Sequence, residues 1–145
     1  MNSRKIKLTI ESDLDNVTLI GESVRTFCLM IPLTNLNALR MQLCVTEVVS
    51  NVIKHAYNNE KNHEIEVEFY MDTEKIVISI FDTGAPIEEN ILEETDDKAS
   101  MSELREGGRG LFLIQTIMDS VDISRVDNKN KWTLTKHISK DLKND

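Results

Sequence analysis

The stretch "TEVVSNVIKHAY" holds the residues with the most chemistry. Glu47, Asn51 and His55 follow one another at steps of four, so on a helix they stack along one stripe. Leu43, Cys44, Val45, Val48, Val49, Val52, Ile53 and Ala56 fill most of the remaining circumference, the pattern of a largely buried helix. A solvated stripe is usually built from Lys, Glu, Gln and Arg, and asparagine is a poor helix former. A glutamate and an asparagine one turn apart can instead share a pocket, one as a base and the other as a neutral oxygen ligand to a hard cation. Spacing alone also fits a plain polar face.

Two further stretches carry weaker signals. In "ISIFDTGAPI" an apolar strand ends at Asp82, with Gly84 and Pro86 following. That is either ordinary turn chemistry or an acceptor held at a strand end for a ligand's exocyclic amine. In "EGGRGLFLIQ" three of the chain's five glycines (Gly107, Gly108 and Gly110) crowd ahead of Leu111-Phe112-Leu113-Ile114. Glycine permits positive φ and close approach, and the helix start that follows offers unpaired N–H groups and a positive dipole end. Together they describe a seat for phosphate, although glycine also serves plain turns.

The elements that must position these residues can be read from periodicity. Ile6, Leu8 and Ile10 alternate over residues 5–10 and predict a first strand. Ser12 or Asp13 can cap a helix carrying Val17, Ile20, Val24, Phe27, Cys28 and Ile31, ended by Pro32. A second helix is expected from about Leu36 to Tyr57, before Asn58-Asn59. Ile65, Val67 and Phe69, then Ile76, Ile78 and Ile80 after Asp72-Thr73, predict paired strands. The stretch 83–108 is rich in Glu, Asp, Ser and Gly without a sustained period, a length that suits a lid or binding loop. A helix from about Arg109 to Asp119 and strands 121–126 and 132–138 complete the order β-α-α-β-β-loop-α-β-β. Hairpin-like clustering predicts an α+β fold, with an antiparallel or mixed sheet and helices on one face. There is no internal repeat and no second domain.

Bulk properties narrow the function classes. The 145 residues suit one domain, and 40% of them are apolar. No apolar run approaches the roughly 20 residues of a membrane span, and "MNSRKIKLTI" reads as a strand, not a signal peptide. With 17 basic against 25 acidic residues the net charge is −8, which disfavours direct nucleic-acid binding. An anionic small ligand then requires local neutralisation by a metal and backbone dipoles. Cys28 and Cys44 lie in apolar helical patterns without a Cys-x-x-Cys spacing, as reduced core residues of a cytosolic protein do.

In the order Glu-x-x-x-Asn, Asp-x-Gly, Gly-Gly-x-Gly, the three stretches resemble the N box and two glycine boxes of the ATPase superfamily that unites gyrase, the heat-shock chaperone, histidine kinases and MutL. "EVVSNVIKHAY" and "GGRGLFLIQTIMDSV" look most like the anti-sigma-factor serine kinases. The resemblance covers nearly the whole chain. It implies the Bergerat ATP-binding fold, a two-layer sandwich with a mixed, mostly antiparallel sheet, whose lid spans about 83–108. It also implies Glu47 as catalytic base and Asn51 as the residue that holds Mg²⁺ against the phosphates of ATP. Asp82 would recognise the adenine amino group, with Gly84 close under the base, and Gly108 and Gly110, with Arg109 and Leu111, would form the phosphate-cradling turn. Lid residues of about 88–106 would be mobile without nucleotide and ordered by the γ-phosphate. By resemblance, the partners are an anti-sigma antagonist protein and a sigma factor, the assembly is a homodimer and the location is cytoplasmic.

The chain departs from the pattern in places. Pro86 stands where the family usually has a second glycine, which stiffens the lid's hinge. The family's threonine that helps hold adenine through a water has two candidates, Thr133 and Thr135, and the sequence does not choose between them. Arg109, inside the motif, is preferred to Arg105 as a γ-phosphate contact, and His55 is read as a structural residue at the helix end. Length and content argue against a complete sensor histidine kinase. Two function classes remain: a Mg-ATP-dependent serine/threonine kinase acting on an anti-sigma antagonist, and an ATP-gated binding regulator with little or no transfer. Glu47 favours the enzyme, since a pure binding module needs no carboxylate beside the metal.

Overall fold

Strand alternation decides which face of the sheet is covered. In the computed structural model, which describes residues 3–31, 33–87, 91 and 106–138, strand β2 (Glu64–Met71) buries Ile65, Val67, Phe69 and Met71. Strand β3 (Lys75–Asp82) buries Ile76, Ile78 and Ile80. Strand β1 (Arg4–Glu11) half-buries Ile6, Leu8 and Ile10. The described residues close with a hairpin of β4 (Ser120–Val126) and β5 (Lys129–His137), the latter burying Trp132 and Leu134. The order across the sheet is β1-β2-β3-β5-β4. All four pairings are antiparallel.

Among the described residues, three helices supply the second layer. Helix α1 (Asp15–Leu29) contributes Ile20, Val24 and Cys28 to the core, and α2 (Asn35–Asn51) contributes Ala38, Met41, Cys44, Val45, Val48 and Val49. Helix α3 (Glu106–Ile117) adds Leu111 and Ile114. These residues and the inward strand residues form one apolar cluster. The far face of the sheet is charged instead: Lys5 pairs with Glu68 at 3.1 Å and Lys7 with Glu66 at 3.7 Å. The result is the expected α+β two-layer arrangement. Burial pushes the thiols of Cys28 and Cys44 up to about 12, so both are inert core groups. Among the described residues no helix is long and apolar enough to cross a membrane.

Several boundaries differ from expectation, each for a local reason. Ser12 does not cap α1. It is fully buried, and its hydroxyl donates to Glu60 O and accepts from His63 N, tying the β1–α1 corner to the loop before β2. Asp13 Oδ1 accepts from Asp15 N at 2.9 Å without being the cap residue. The cap of α2 is Thr34, which accepts from Asn37 N at 3.1 Å. Helix α2 is α-helical only to Asn51 and continues as a π-helical turn, Val52–Ala56, closed by Tyr57 N donating to Val52 O at 3.0 Å. Strand β5 starts three residues early because Asp127 and Asn128 make a two-residue turn with φ of 53° and 63°, the geometry that matches strand twist. Helix α3 also begins three residues early. Pro32 and, of the expected lid, residues 88–90 and 92–105, Arg105 among them, lie outside the described residues.

The middle of β3 is where all the layers meet. Ile78 is fully buried and opposes Phe69 on one side and Leu134 on the other. Ile78→Ala should lower the free energy of unfolding by about 2–5 kcal/mol, read as a lower urea midpoint at an unchanged slope.

Candidate functional site

The end of β3 holds a carboxylate that the fold satisfies on one side only. Asp82 is 2% exposed. Its Oδ1 accepts from Gly84 N at 2.9 Å and from Asn130 Nδ2 at 2.8 Å, while its buried Oδ2 has no partner among the described residues. Burial pushes the pKa of Asp82 above the usual carboxylate value, and the donations from Asn130 and Gly84 and the charge of Arg125 hold it down in part. A buried acceptor left open is costly unless something donates to it. An N–H brought to it from outside the fold would satisfy it.

The turn after Asp82 is pinned from two sides. Tyr57, at the end of the π-helical turn, donates its hydroxyl to Glu64 O at 2.7 Å and accepts from Thr83 N at 2.8 Å. Ala85 N donates to Ala56 O at 3.0 Å. Gly84 packs so closely on Ala56 that an added Cβ would strike its carbonyl oxygen and lie 2.7 Å from its carbonyl carbon. The glycine is thus required by backbone contact with the end of α2. From the other side Asn130 Nδ2 also donates to Ala85 O at 2.8 Å, and Arg125 Nη1 donates to Gly84 O at 3.2 Å and to Asn130 Oδ1 at 2.9 Å.

Glu47 and the glycine segment also meet. A Cβ on Gly110 would strike the Glu47 carboxylate and lie 3.3 Å from its Cδ, so the absence of a side chain at 110 lets the carboxylate rest against the first turns of α3. Gly107, Gly108, Arg109 and Gly110 are helical there, and among the described residues no glycine has positive φ. The expected loop-like phosphate turn is therefore a helix start in this structure, with its leading N–H groups outside the helical bonding pattern. Leu111 is buried and Arg109 exposed. Asn51 is half-buried at the last α-helical position of α2, one turn from Glu47. The π-helical turn then shifts the phase, so His55 leaves the stripe and points to solvent.

The threonine question resolves against both candidates. Thr133 opposes Ser79 and Thr135 opposes Val77, whereas Asn130 opposes Asp82. By strand alternation both threonines lie on the far face of the sheet. Asn130, 1% exposed, is the residue that sequence reasoning missed. Its only signal is its place two residues after the Asp127-Asn128 turn.

An adenine nucleotide fits this donor and acceptor set: the open Asp82 Oδ2 suits an exocyclic amine, and the start of α3 suits phosphate. For the metal, no group of three or more His, Cys, Asp or Glu side chains is assembled among the described residues. Mg²⁺ carried by phosphates needs only one or two protein oxygens, which Asn51 can supply.

Comparison with known proteins agrees with this reading. The family model described as histidine kinase-like ATPase domain matches residues 10–136. The chain is 38% identical over 88 residues to the serine-protein kinase RsbW of Oceanobacillus iheyensis, covering 58% of this chain and 56% of that protein. It is 30% identical over 103 residues to the RsbW of Listeria innocua, covering 68% and 65%. The chain thus spans less than two thirds of the length of both kinases. The anti-sigma F factor of O. iheyensis is 28% identical over 139 residues, 94% of each chain. Two solved structures share the fold. One is of the RsbU and RsbW domains of a Mycobacterium tuberculosis protein (TM-score 0.66, 12% identity, 98% of this chain and 34% of that one). The other is the SiaB–SiaC complex of Pseudomonas aeruginosa (TM-score 0.62, 13% identity, 92% and 89%).

Removing the Asn130 amide takes a donor from the ionised form of Asp82. Asn130→Ala should push the Asp82 pKa further above its already raised position, measured by carboxyl-carbon NMR titration. The sign follows from linkage. The lost donation penalises only the charged form, so the loss of stability, about 1–3 kcal/mol, is present at neutral pH. It shrinks as pH falls through the folded-state value of Asp82.

Proposed function

Because the chain belongs to the histidine kinase-like ATPase family, we propose that it binds Mg-ATP and transfers the γ-phosphoryl group to a serine or threonine hydroxyl of an anti-sigma antagonist protein. The observation that carries this reading is the buried, unpartnered Oδ2 of Asp82, an acceptor in position for the adenine amino group. The named kinases and the anti-sigma F factor among the relatives support the protein substrate and a sigma factor as second partner. A sigma factor as partner puts the activity in the cytoplasm. Assembly as a homodimer is part of the same proposal.

Each residue has a role set by its position. Asp82 accepts from the base through Oδ2 while Gly84 N and Asn130 hold its other oxygen. The leading N–H groups of α3, that of Gly108 among them, would offer the phosphates the positive end of the helix dipole, with Arg109 beside them for the γ-phosphate. Asn51 offers its amide oxygen to Mg²⁺, which when bound neutralises charge building on the phosphate oxygens. Glu47 takes the proton of the attacking hydroxyl as that oxygen bonds to phosphorus and ADP departs. The carboxylate's seat against Gly110 keeps the base next to the phosphate-facing turn of α3. Catalysis of this kind is mostly positioning and charge neutralisation, which an acidic chain supplies locally.

Glu47→Gln should lower phosphate transfer from labelled ATP to the antagonist about 10²–10⁴-fold and leave ATP affinity within a few-fold. Asn51→Ala should also lose the Mg²⁺-dependent part of ATP affinity. Transfer at the parental rate by Glu47→Gln, or no transfer by the parent to any antagonist of its genome, would sink the kinase reading.

A further inference from the structure

We infer that the indole N–H of Trp132 is the partner of Asp82 Oδ2 in reading the base: one donor and one acceptor, set for the adenine edge. The inference rests on the nucleotide reading above and adds a specificity-determining residue to it. Trp132 is the chain's single tryptophan and is 2% exposed. Its Nε1 is buried without a hydrogen-bond partner among the described residues, as is Asp82 Oδ2. Native interiors rarely leave such groups open, and here a donor and an acceptor are open on neighbouring strands.

Register places them together. Asn130 opposes Asp82, and Trp132, two residues further along β5, opposes Ile80 and Ile123. Residues two apart on a strand share a face, so Trp132 and Asp82 are diagonal neighbours on the helix-covered side. That separation, about 7–8 Å between backbone positions, is within reach of an aromatic side chain. Asn130 cannot serve as the donor, because its Nδ2 already donates to Asp82 Oδ1 and Ala85 O. Thr133 and Thr135 are on the other face. The indole is the buried donor that remains on these strands.

The complement of such a pair is a hydrogen-bond donor beside an acceptor. Adenine has this arrangement, with its exocyclic amine flanked by the ring nitrogens N1 and N7 as acceptors. Guanine reverses it along its pairing edge, placing the O6 acceptor against the Asp82 carboxylate and the N1–H donor against the indole. Trp132 and Asp82 together would therefore reject guanine at two points, where the carboxylate alone rejects it at one.

The test is calorimetric binding of Mg-ATP, Mg-1-deaza-ATP, Mg-7-deaza-ATP and Mg-GTP to the unsubstituted chain and to Trp132→Phe. One deaza analogue should bind the unsubstituted chain about tenfold more weakly than ATP, the scale of one lost hydrogen bond, and its identity tells which ring nitrogen meets the indole. In Trp132→Phe that same analogue should match ATP, and the preference for ATP over GTP should narrow. The emission of the lone tryptophan should shift with ATP and not with the penalised analogue. If both deaza analogues bind the unsubstituted chain as ATP does, or if Trp132→Phe keeps the penalty, the pair is overturned while ATP binding stands. Because the deaza comparison is made on the unsubstituted chain, it holds even where the variant folds poorly. No ATP binding by the unsubstituted chain would overturn the nucleotide reading and the pair with it.

Discussion

A carboxylate buried at the end of the central strand, with one oxygen held and the other open, is the constraint that organises this molecule. Charge in an apolar interior is tolerated only with hydrogen-bond support, and the supports of Asp82 come from far apart in the chain. Gly84 N comes from its own turn and Asn130 from β5, with Arg125 on β4 braced against both. The sheet order that sets β5 directly beside β3 is what brings Asn130 to Asp82. A meander that ran on from β3 to β4 would put a different strand there.

The same turn is locked to the helical layer through the π-helical end of α2. Tyr57 and Ala56 bind the Thr83–Ala85 backbone, and Gly84 is compressed onto Ala56. Asn51 and Glu47 precede that π-helical turn on the same helix. The corner proposed to read the base and the residues proposed for metal and proton are therefore joined through one continuous helical segment. A wide helical turn next to a site is a recurring device for such re-aiming, and here it releases His55 to solvent while Tyr57 faces the core.

What was legible in the sequence was whatever depends on short-range pattern. The alternation of Ile65, Val67 and Phe69, and of Ile76, Ile78 and Ile80, gave strands with the correct inward face. The near-continuous apolar surround of Glu47 and Asn51 gave a buried helix. The ordered motifs gave the family. What stayed hidden depends on register and on backbone hydrogen bonding. Asn130 reaches Asp82 across 48 positions, and only the two-residue Asp127-Asn128 turn decides which β5 side chains face inward. The two threonines carried the expected chemistry but fall on the wrong parity. The π-helical turn leaves no mark in a pattern of apolar residues, and the glycines of α3 suggested a loop because their helix propensity is poor, while docking of Leu111 and Ile114 into the core overrides it.

The fit of Gly110 over Glu47 makes the place of one carboxylate depend on the absence of one side chain. Any side chain at position 110 must displace the carboxylate, which is the far end of a flexible side chain and can yield without disturbing the core. Asp82 on β3 and its partner Asn130 on β5 lie away from that contact. On the proposed roles, Gly110→Ala would be the smallest change that moves the base while the Asp82 corner keeps its supports.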